Sequence, residues 1–366
     1  MSLYSNTCSL LTVRSYSQIA LEKNRVFGSV ASVWKSDNST VMDLWTFVLS
    51  FLIVIVLLLA GLKIYFDAAK GVCHSNADLT GKTVLITGAN TGIGYYTALD
   101  IARRNARVIL ACRSQEKGLA AMKKIQETTG NHNIVVKVVD LSLMASVKKF
   151  AVKILQEEAH LDILINNAGV AGIPKVMTAE GFEVTYATNH FGPFLLTNLL
   201  LDLLKKSAPS RIVNVSSIAH KFGSIEFDNM KAEKSYSQFR FYGNTKLANI
   251  LFTRELARRL EGTGVSCYVL HPGAVATELY RDMPFYMRIP IIYFNYYICK
   301  TPEQGAQTSI YCAVSEEVEE KSGKYFSDCR ESDELTPEAQ DDAVAKKLWE
   351  SSEFYLNVGG FISWSS

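Results

Sequence analysis

Thr83-Val-Leu-Ile-Thr87 runs straight into Gly88-Ala-Asn-Thr-Gly92-Ile-Gly94 and then into a stretch of helical character. That order leaves few architectures open. A short apolar and β-branched run suits a strand buried on both faces, as in parallel sheets. Glycines between such a strand and a helix let backbone N–H groups approach a pyrophosphate at the positive end of the helix. The spacing here is G-x-x-x-G-x-G, not the G-x-G-x-x-G of the commonest dinucleotide fingerprint, and an unrelated strand–glycine–helix turn would also contain glycines.

The same alternation continues downstream. Val108–Ala111 reads as a second strand, and Ser114 can cap a helix whose Leu119, Met122 and Ile125 share a face. Ile134–Val139 is predicted as a third strand ending at Asp140, followed by a helix with the stripe Val147, Phe150, Ala151, Ile154 and Leu155. Asp162–Ile165 leads to Asn166-Asn167-Ala168-Gly169, and one long helix is expected around Ala187–Leu204. Arg211–Val215, Val265–Leu270 and a short Tyr325–Ser327 complete the strands, with a helix over Tyr242–Leu260. Strands alternating with helices predict an α/β fold, a parallel sheet covered on both faces in a single domain over residues 79–358.

One segment does not belong to that pattern. Leu44–Leu62 is uncharged, with Thr46 and Ser50 its only hydroxyl residues. At about 1.5 Å per residue it is long enough for a hydrocarbon core of about 30 Å. A signal-peptide core is usually shorter and ends in small residues, whereas Leu62-Lys-Ile-Tyr-Phe66 does not. Residues 44–66 are therefore expected to be one N-terminal transmembrane anchor, and residues 1–43 a polar, disordered tail. Met42 is an alternative start, and Asn38-Ser-Thr40 is a glycosylation sequon that matters only if the tail is lumenal. Basic residues flank the span almost evenly (Lys23, Arg25 and Lys35 before; Lys63, Lys70 and Lys82 after), so charge does not set its orientation.

The chain has 366 residues and a formal net charge of +2, with no basic stripe to suggest a nucleic-acid partner. Its seven cysteines are odd in number and form no CxxC pair, which suggests neither a disulfide framework nor a metal site.

The candidate chemistry lies at strand ends. An acidic residue closing the second strand would accept from an adenosine ribose; this chain has Arg113 there, whose guanidinium suits the extra phosphate of NADP(H). Arg113 can equally be a solvated residue at a helix start. Asp140 can accept from an adenine amino group or cap the following helix. Tyr242 and Lys246 are four residues apart on one helix face. A phenol near pKa ~10 is a sluggish base at neutral pH, and a neighbouring ammonium favours its ionised form. Lys246 can also hold ribose hydroxyls. Tyr-x-x-x-Lys is common by chance, but Ser217, after Arg211-Ile-Val-Asn-Val-Ser216, lies at a strand's carboxyl end, where α/β sheets bind ligands. Its hydroxyl can donate to a substrate oxygen. Asn189, polar on an apolar helix, is either satisfied in the core or holds a water that passes protons to Lys246.

Taken together, Thr87-Gly-x-x-x-Gly-x-Gly94, Asn166-Asn-Ala-Gly169, Ser217, Tyr242-x-x-x-Lys246 and His271-Pro-Gly273 closely resemble the short-chain dehydrogenase/reductases. The resemblance implies a Rossmann-type doubly wound fold and a catalytic tetrad of Asn189, Ser217, Tyr242 and Lys246, with Ser217 also contacting substrate. It implies nucleotide contacts from Gly88, Asn90, Thr91, Gly92, Ile93, Gly94, Arg113, Asp140, Leu141, Asn167, Lys246, Pro272 and Thr277. Gly71-Val-Cys73, Leu110-Ala-Cys-Arg113, Phe194–Leu201, Lys246–Leu256 and Gly323–Cys329 are similar to the membrane-anchored retinol dehydrogenases. That group implies NADP(H), retinoid or lipid-aldehyde substrates, and an endoplasmic-reticulum anchor with a cytosolic domain. Gly243-Asn-Thr245 departs from the group's usual Cys-His-Ser, Ile173-Pro174 from its Met-Cys-Pro, and the leader is longer.

Pro284–Ile298 corresponds to the family's pocket-covering stretch; its aromatic and branched residues suit an apolar substrate or a membrane interface, or an ordinary core helix. Leu247, Ile250 and Leu251 form either a homodimer face or core. Rival functions are a carbonyl reductase for steroids or other lipids, and a membrane-tethered nucleotide-binding protein without catalysis.

Overall fold

The computed structural model describes residues 43–65, 67–68, 70–275 and 299–358. The tail before residue 43, Thr277 and the Pro284–Ile298 stretch lie outside them. The chain divides into two compact units, one ending at Ala68 and the other starting at Ala69. In the first, helix α1, Asp43–Tyr65, is long and apolar enough to cross a membrane.

The second unit is built on one sheet of eight strands in the order β3-β2-β1-β4-β5-β6-β7-β8. The first strand, β1 (Thr83–Thr87), is buried throughout; it pairs in parallel with β2 (Arg107–Cys112) on one side and β4 (Ile163–Asn166) on the other. β3 (Ile134–Val138) adds outside β2, while β5 (Ser210–Val215), β6 (Val265–His271) and β7 (Tyr325–Ser327) extend the other side, all in parallel. A parallel pair needs a crossover, usually helical, and those crossovers cover both faces. Strand order reverses between β1 and β4, which opens a crevice at their carboxyl ends.

One face carries helices α2 (Gly92–Arg103), α3 (Gln115–Thr129) and α9 (Pro302–Val314). The other carries α4 (Met144–Glu157), a helical run from Val184 to Lys206, α8 (Gln238–Arg259) and α10 (Asp342–Leu356). At its centre the Phe194 ring sits 4.8 Å from Trp349 of α10 and 5.2 Å from Phe252 of α8.

The structure corrects several expectations. β8 (Arg330–Glu331) pairs antiparallel with β7, so the sheet is mixed at that edge. The long helix is broken into α5 (Val184–Tyr186), a π-helical turn Ala187–Phe191, α6 (Gly192–Leu199) and α7 (Leu201–Lys206). On α3 the sheet-facing residues are Gly118, Ala121 and Ile125, and Leu119 is exposed. A Cβ at Gly118 would lie 2.6 Å from both Cys112 Sγ and Val136 Cγ1, so α3 approaches the sheet too closely for a large side chain. On α4 the stripe starts a turn earlier, at Met144, and Leu155 faces solvent. Leu247, Ile250 and Leu251 are buried inside the chain and offer no dimer surface.

These facings separate two kinds of leucine and phenylalanine. Phe194→Ala is expected to destabilise by about 3–5 kcal/mol through the cavity it leaves, whereas Leu155→Ser should stay within about 0.5 kcal/mol. Urea unfolding followed by far-UV circular dichroism measures both.

Candidate active site

The carboxyl edge of the sheet gathers most of the residues singled out above. Gly88 and Gly92 take φ of +68° and +58°, a left-handed conformation that glycine adopts without strain. A Cβ at Gly94 would fall 2.4 Å from the Gly88 carbonyl oxygen, so only glycine lets α2 start this close to the loop. Thr91, the N-cap of α2, makes no side-chain cap, and the first turn carries no acidic residue. Uncapped N–H groups at a helix start, beside a Cβ-free cradle, fit a pyrophosphate. Asn90 is half-buried and Thr91 exposed; Ile93 is half-buried against α9.

Asn167 braces this loop: its Nδ2 donates to the Thr87 carbonyl at 2.8 Å, while Thr87 Oγ1 accepts from the N–H groups of Asn167 and Ala168 at 3.0 Å each. Arg113 is exposed just past β2 and makes no ion pair among the described residues. Ser114 does cap α3, accepting from the Lys117 N–H. Asp140 Oδ1 accepts from the Ser142 N–H and hydroxyl at 2.9 and 2.6 Å, a local turn that shapes the loop after β3. Leu141 is buried, and its carbonyl lies so near Gly192 that a Cβ there would sit 2.2 Å away. Pro272 is buried beside Gly273, whose φ is +89°.

The candidate reacting groups lie near the ends of β4 and β5: Lys246 bonds to the end of β5, and Asn189 to the loop after β4. Lys246 is buried in the middle of α8, and its Nζ donates to the Val215 carbonyl at 3.0 Å. It lies 5.6 Å from the centroid of the half-buried Tyr242 ring. Burial pulls the Lys246 pKa down to about 8, so the group remains mostly an ammonium at neutral pH. Ser217, half-buried, caps the 3-10 turn Ile218–Phe222, and its Oγ accepts from the Ala219 N–H at 3.2 Å. That turn packs against α8 through two glycines: a Cβ at Gly243 would lie 2.8 Å from the Ala219 carbonyl oxygen, and one at Gly223 2.4 Å from that of Gly243. The close fit holds the turn that Ser217 caps against α8, the helix that carries Tyr242.

Asn189 sits in the π turn. Its Oδ1 accepts from the Val170 N–H at 2.8 Å, and its Nδ2 donates to the Val170 carbonyl at 2.8 Å and to Thr245 Oγ1 at 3.1 Å. The side chain is thus satisfied within the protein. A Cβ at Gly169 would lie 3.3 Å from Asn189 Oδ1 and 3.4 Å from Lys246 Nζ, so amide and ammonium converge on one glycine.

Sequence reading missed three participants. The Val215 carbonyl is invisible in a sequence because every residue has one. Thr245, noted only as a departure from serine, retains the hydroxyl that holds Asn189. His271 accepts the Ile218 N–H through Nδ1 at 3.1 Å; burial first, and then the Lys300 charge, push its pKa down to about 4, which keeps that nitrogen an acceptor. The HPG motif was the available signal.

The model of the short chain dehydrogenase family matches residues 82–284. Human (Homo sapiens) retinol dehydrogenase 11 is 51% identical over 301 residues, covering 82% of this chain and 94% of the relative. Human retinol dehydrogenase 12 is 49% identical over 290 residues, 79% of this chain and 91% of its own. Among solved structures, an uncharacterized protein from Mycobacterium Paratuberculosis superposes with a TM-score of 0.64 at 33% identity, covering 78% of this chain and 98% of the other. The Pseudomonas aeruginosa RhlG/NADP active-site complex gives 0.55 at 25% identity, covering 68% and 95%.

The glycine cradle gives a direct check on the nucleotide site. Gly94→Ala should weaken binding of a nicotinamide dinucleotide by at least about tenfold, roughly 1.4 kcal/mol, by forcing the Gly88 carbonyl out of place. Titration of intrinsic fluorescence with NADPH reads it.

Proposed function

The chain belongs to the short-chain dehydrogenase family, and on that footing we propose that it is an NADP(H)-dependent, membrane-anchored oxidoreductase interconverting retinol and retinal or related lipid aldehydes. The single observation that carries this is the buried Lys246 ammonium beneath the Tyr242 ring, at a sheet edge that also holds a glycine cradle. The retinoid assignment is supported by identity of about half with two human retinol dehydrogenases over most of both chains. Catalysis is placed in residues 79–358, tethered through 44–66 to the endoplasmic reticulum and facing the cytosol.

When bound, the nicotinamide nucleotide supplies or accepts the hydride. Gly88, Gly92 and Gly94 would admit its pyrophosphate at the start of α2, and the exposed Arg113 guanidinium would pair with a 2′-phosphate. Asp140 and Leu141 would border the adenine side, and Pro272 the nicotinamide side. Ser217 donates a hydrogen bond to the substrate oxygen and stabilises the negative charge that grows there during reduction. Tyr242 delivers the phenolic proton to that oxygen, or withdraws it when alcohol is oxidised. Lys246 has three donors, one committed to Val215. The others would hold the ribose hydroxyls of a bound nucleotide, and the charge would lower the proton affinity of the phenol. Asn189 supports proton relay by holding Gly169–Val170 and Thr245 around the ammonium.

Steady-state kinetics test this in one assay, with all-trans-retinal against a short aldehyde and NADPH against NADH. Retinal with NADPH should be the preferred pair. Tyr242→Phe should lower kcat by about 10²–10⁴-fold with NADPH binding intact. Arg113→Ala should raise KM for NADPH by about tenfold or more and leave KM for NADH unchanged. Normal retinal turnover by Tyr242→Phe refutes the mechanism.

A further inference from the structure

Lys300 and Asp328 have no part in the chemistry above, yet they form a buried ion pair at the same edge of the sheet. Lys300 is 5% exposed, and its Nζ contacts the Asp328 carboxylate. A lysine is almost never buried so completely unless paired.

What surrounds the pair is specific. The Lys300 N–H donates to the Ala274 carbonyl at 2.7 Å, and Lys300 bridges Val275 in parallel fashion. Its side chain lies along Gly273: a Cβ there would fall 2.8 Å from Lys300 Cδ and Cε and 3.1 Å from Nζ. The turn after β6, beginning at Pro272, therefore rests on the Lys300 side chain. Asp328 stands just past β7 with φ +50°. Its Oδ1 accepts from the Gly71 N–H at 3.2 Å, and its backbone approaches so closely that a Cβ at Gly71 would lie 2.1 Å from the Asp328 carbonyl oxygen. Lys70 Nζ donates to the Cys299 carbonyl at 3.3 Å and to Gln304 Oε1 at 3.1 Å. Gln304 in turn accepts from the Thr301 N–H, closing the cap of α9. Four stretches distant in sequence thus converge on one ion pair.

We propose that Lys300 and Asp328 are positioning residues for the cofactor: together they hold the Pro272–Gly273 turn in the shape that receives the nicotinamide end of the nucleotide. Gly71 fixes the Asp328 carboxylate from behind. This rests on the functional assignment above, in which that turn borders the nicotinamide. A purely structural ion pair predicts something else, because an apolar isostere often replaces a buried pair without loss of stability and would leave nucleotide binding alone.

The experiment compares Lys300→Met, which keeps the stem that supports Gly273, with Asp328→Asn, which keeps an acceptor for Gly71 and removes the charge. Three readouts are taken on the full chain: NADPH affinity by fluorescence, separate KM values for NADPH and aldehyde, and hydrogen exchange of residues 270–275 without nucleotide. Both variants should bind NADPH about tenfold more weakly, the loss expected for a displaced charge-assisted contact. KM for aldehyde should stay within about twofold while KM for NADPH rises, a split that general destabilisation does not produce. Exchange over 270–275 should quicken while the β5 region is unchanged. NADPH affinity equal to wild type in a cooperatively melting Lys300→Met protein overturns the proposal, as does a uniform rise of exchange across the sheet in both variants. If wild-type protein itself neither binds nor turns over NADPH, the functional assignment fails first. If wild type binds and Tyr242→Phe binds without turnover while both pair variants match wild type, only the present inference fails.

Discussion

A buried ammonium, held among the described residues by one carbonyl, is the constraint on which the proposed site depends. Lys246 donates to Val215 at 3.0 Å, and no carboxylate pairs with it among the described residues. Removing a charge from water without a counter-ion is costly, and here the cost appears as a pKa drawn down to about 8. The surrounding structure therefore has to stabilise the cation through dipoles, and in the proposed mechanism the group that gains from its charge is the phenol of Tyr242, whose ring centroid lies 5.6 Å away.

Much of the packing around Lys246 can be understood as support for that arrangement. Ser216 Oγ donates to the Lys246 carbonyl at 2.7 Å, tying α8 to the end of β5. Asn249, one turn further along, donates to the same Val215 carbonyl at 3.2 Å. The π turn at Ala187–Phe191 widens the helix where Asn189 reaches Thr245 on α8. His190, next in sequence, is buried and bonded through Nε2 to Ser352 of α10 at 2.9 Å. Ser352 gives its single hydroxyl proton to the Leu348 carbonyl, so the His190 nitrogen is the donor of that pair. The last helix thus fixes the turn that carries Asn189.

The strands were legible in the sequence because burial on both faces requires nearly continuous apolar runs; Thr83–Thr87 and Tyr325–Ser327 were read to the residue. Helix facing was less so. Counting large apolar residues assigned Leu119 and Leu155 inward, whereas the packed face of α3 joins Ile125 to Gly118 and Ala121, two residues small enough for close approach to the sheet. The π turn has no signature in Ala187-Thr-Asn-His-Phe191, since it differs from an α-helix by one shifted hydrogen bond and is set by tertiary partners. β8 is two residues long and carries no alternation to detect. At the candidate site, Tyr242, Lys246 and Ser217 stood out in the sequence because the chemistry proposed for them depends on side-chain type and spacing. Val215, the Gly223–Gly243 contact and the Lys300–Asp328 pair were not, because each depends on which backbone atoms the fold brings together.

The most direct measurement of the central claim is the pH dependence of kcat/KM for retinol oxidation with NADP, in wild type and in Lys246→Met. If a buried ammonium acidifies Tyr242, the wild-type rate should rise with pH along a limb centred well below the free phenol's ~10. In Lys246→Met that limb should move up toward ~10 as the overall rate falls. A limb at the same pH in both proteins would contradict the account.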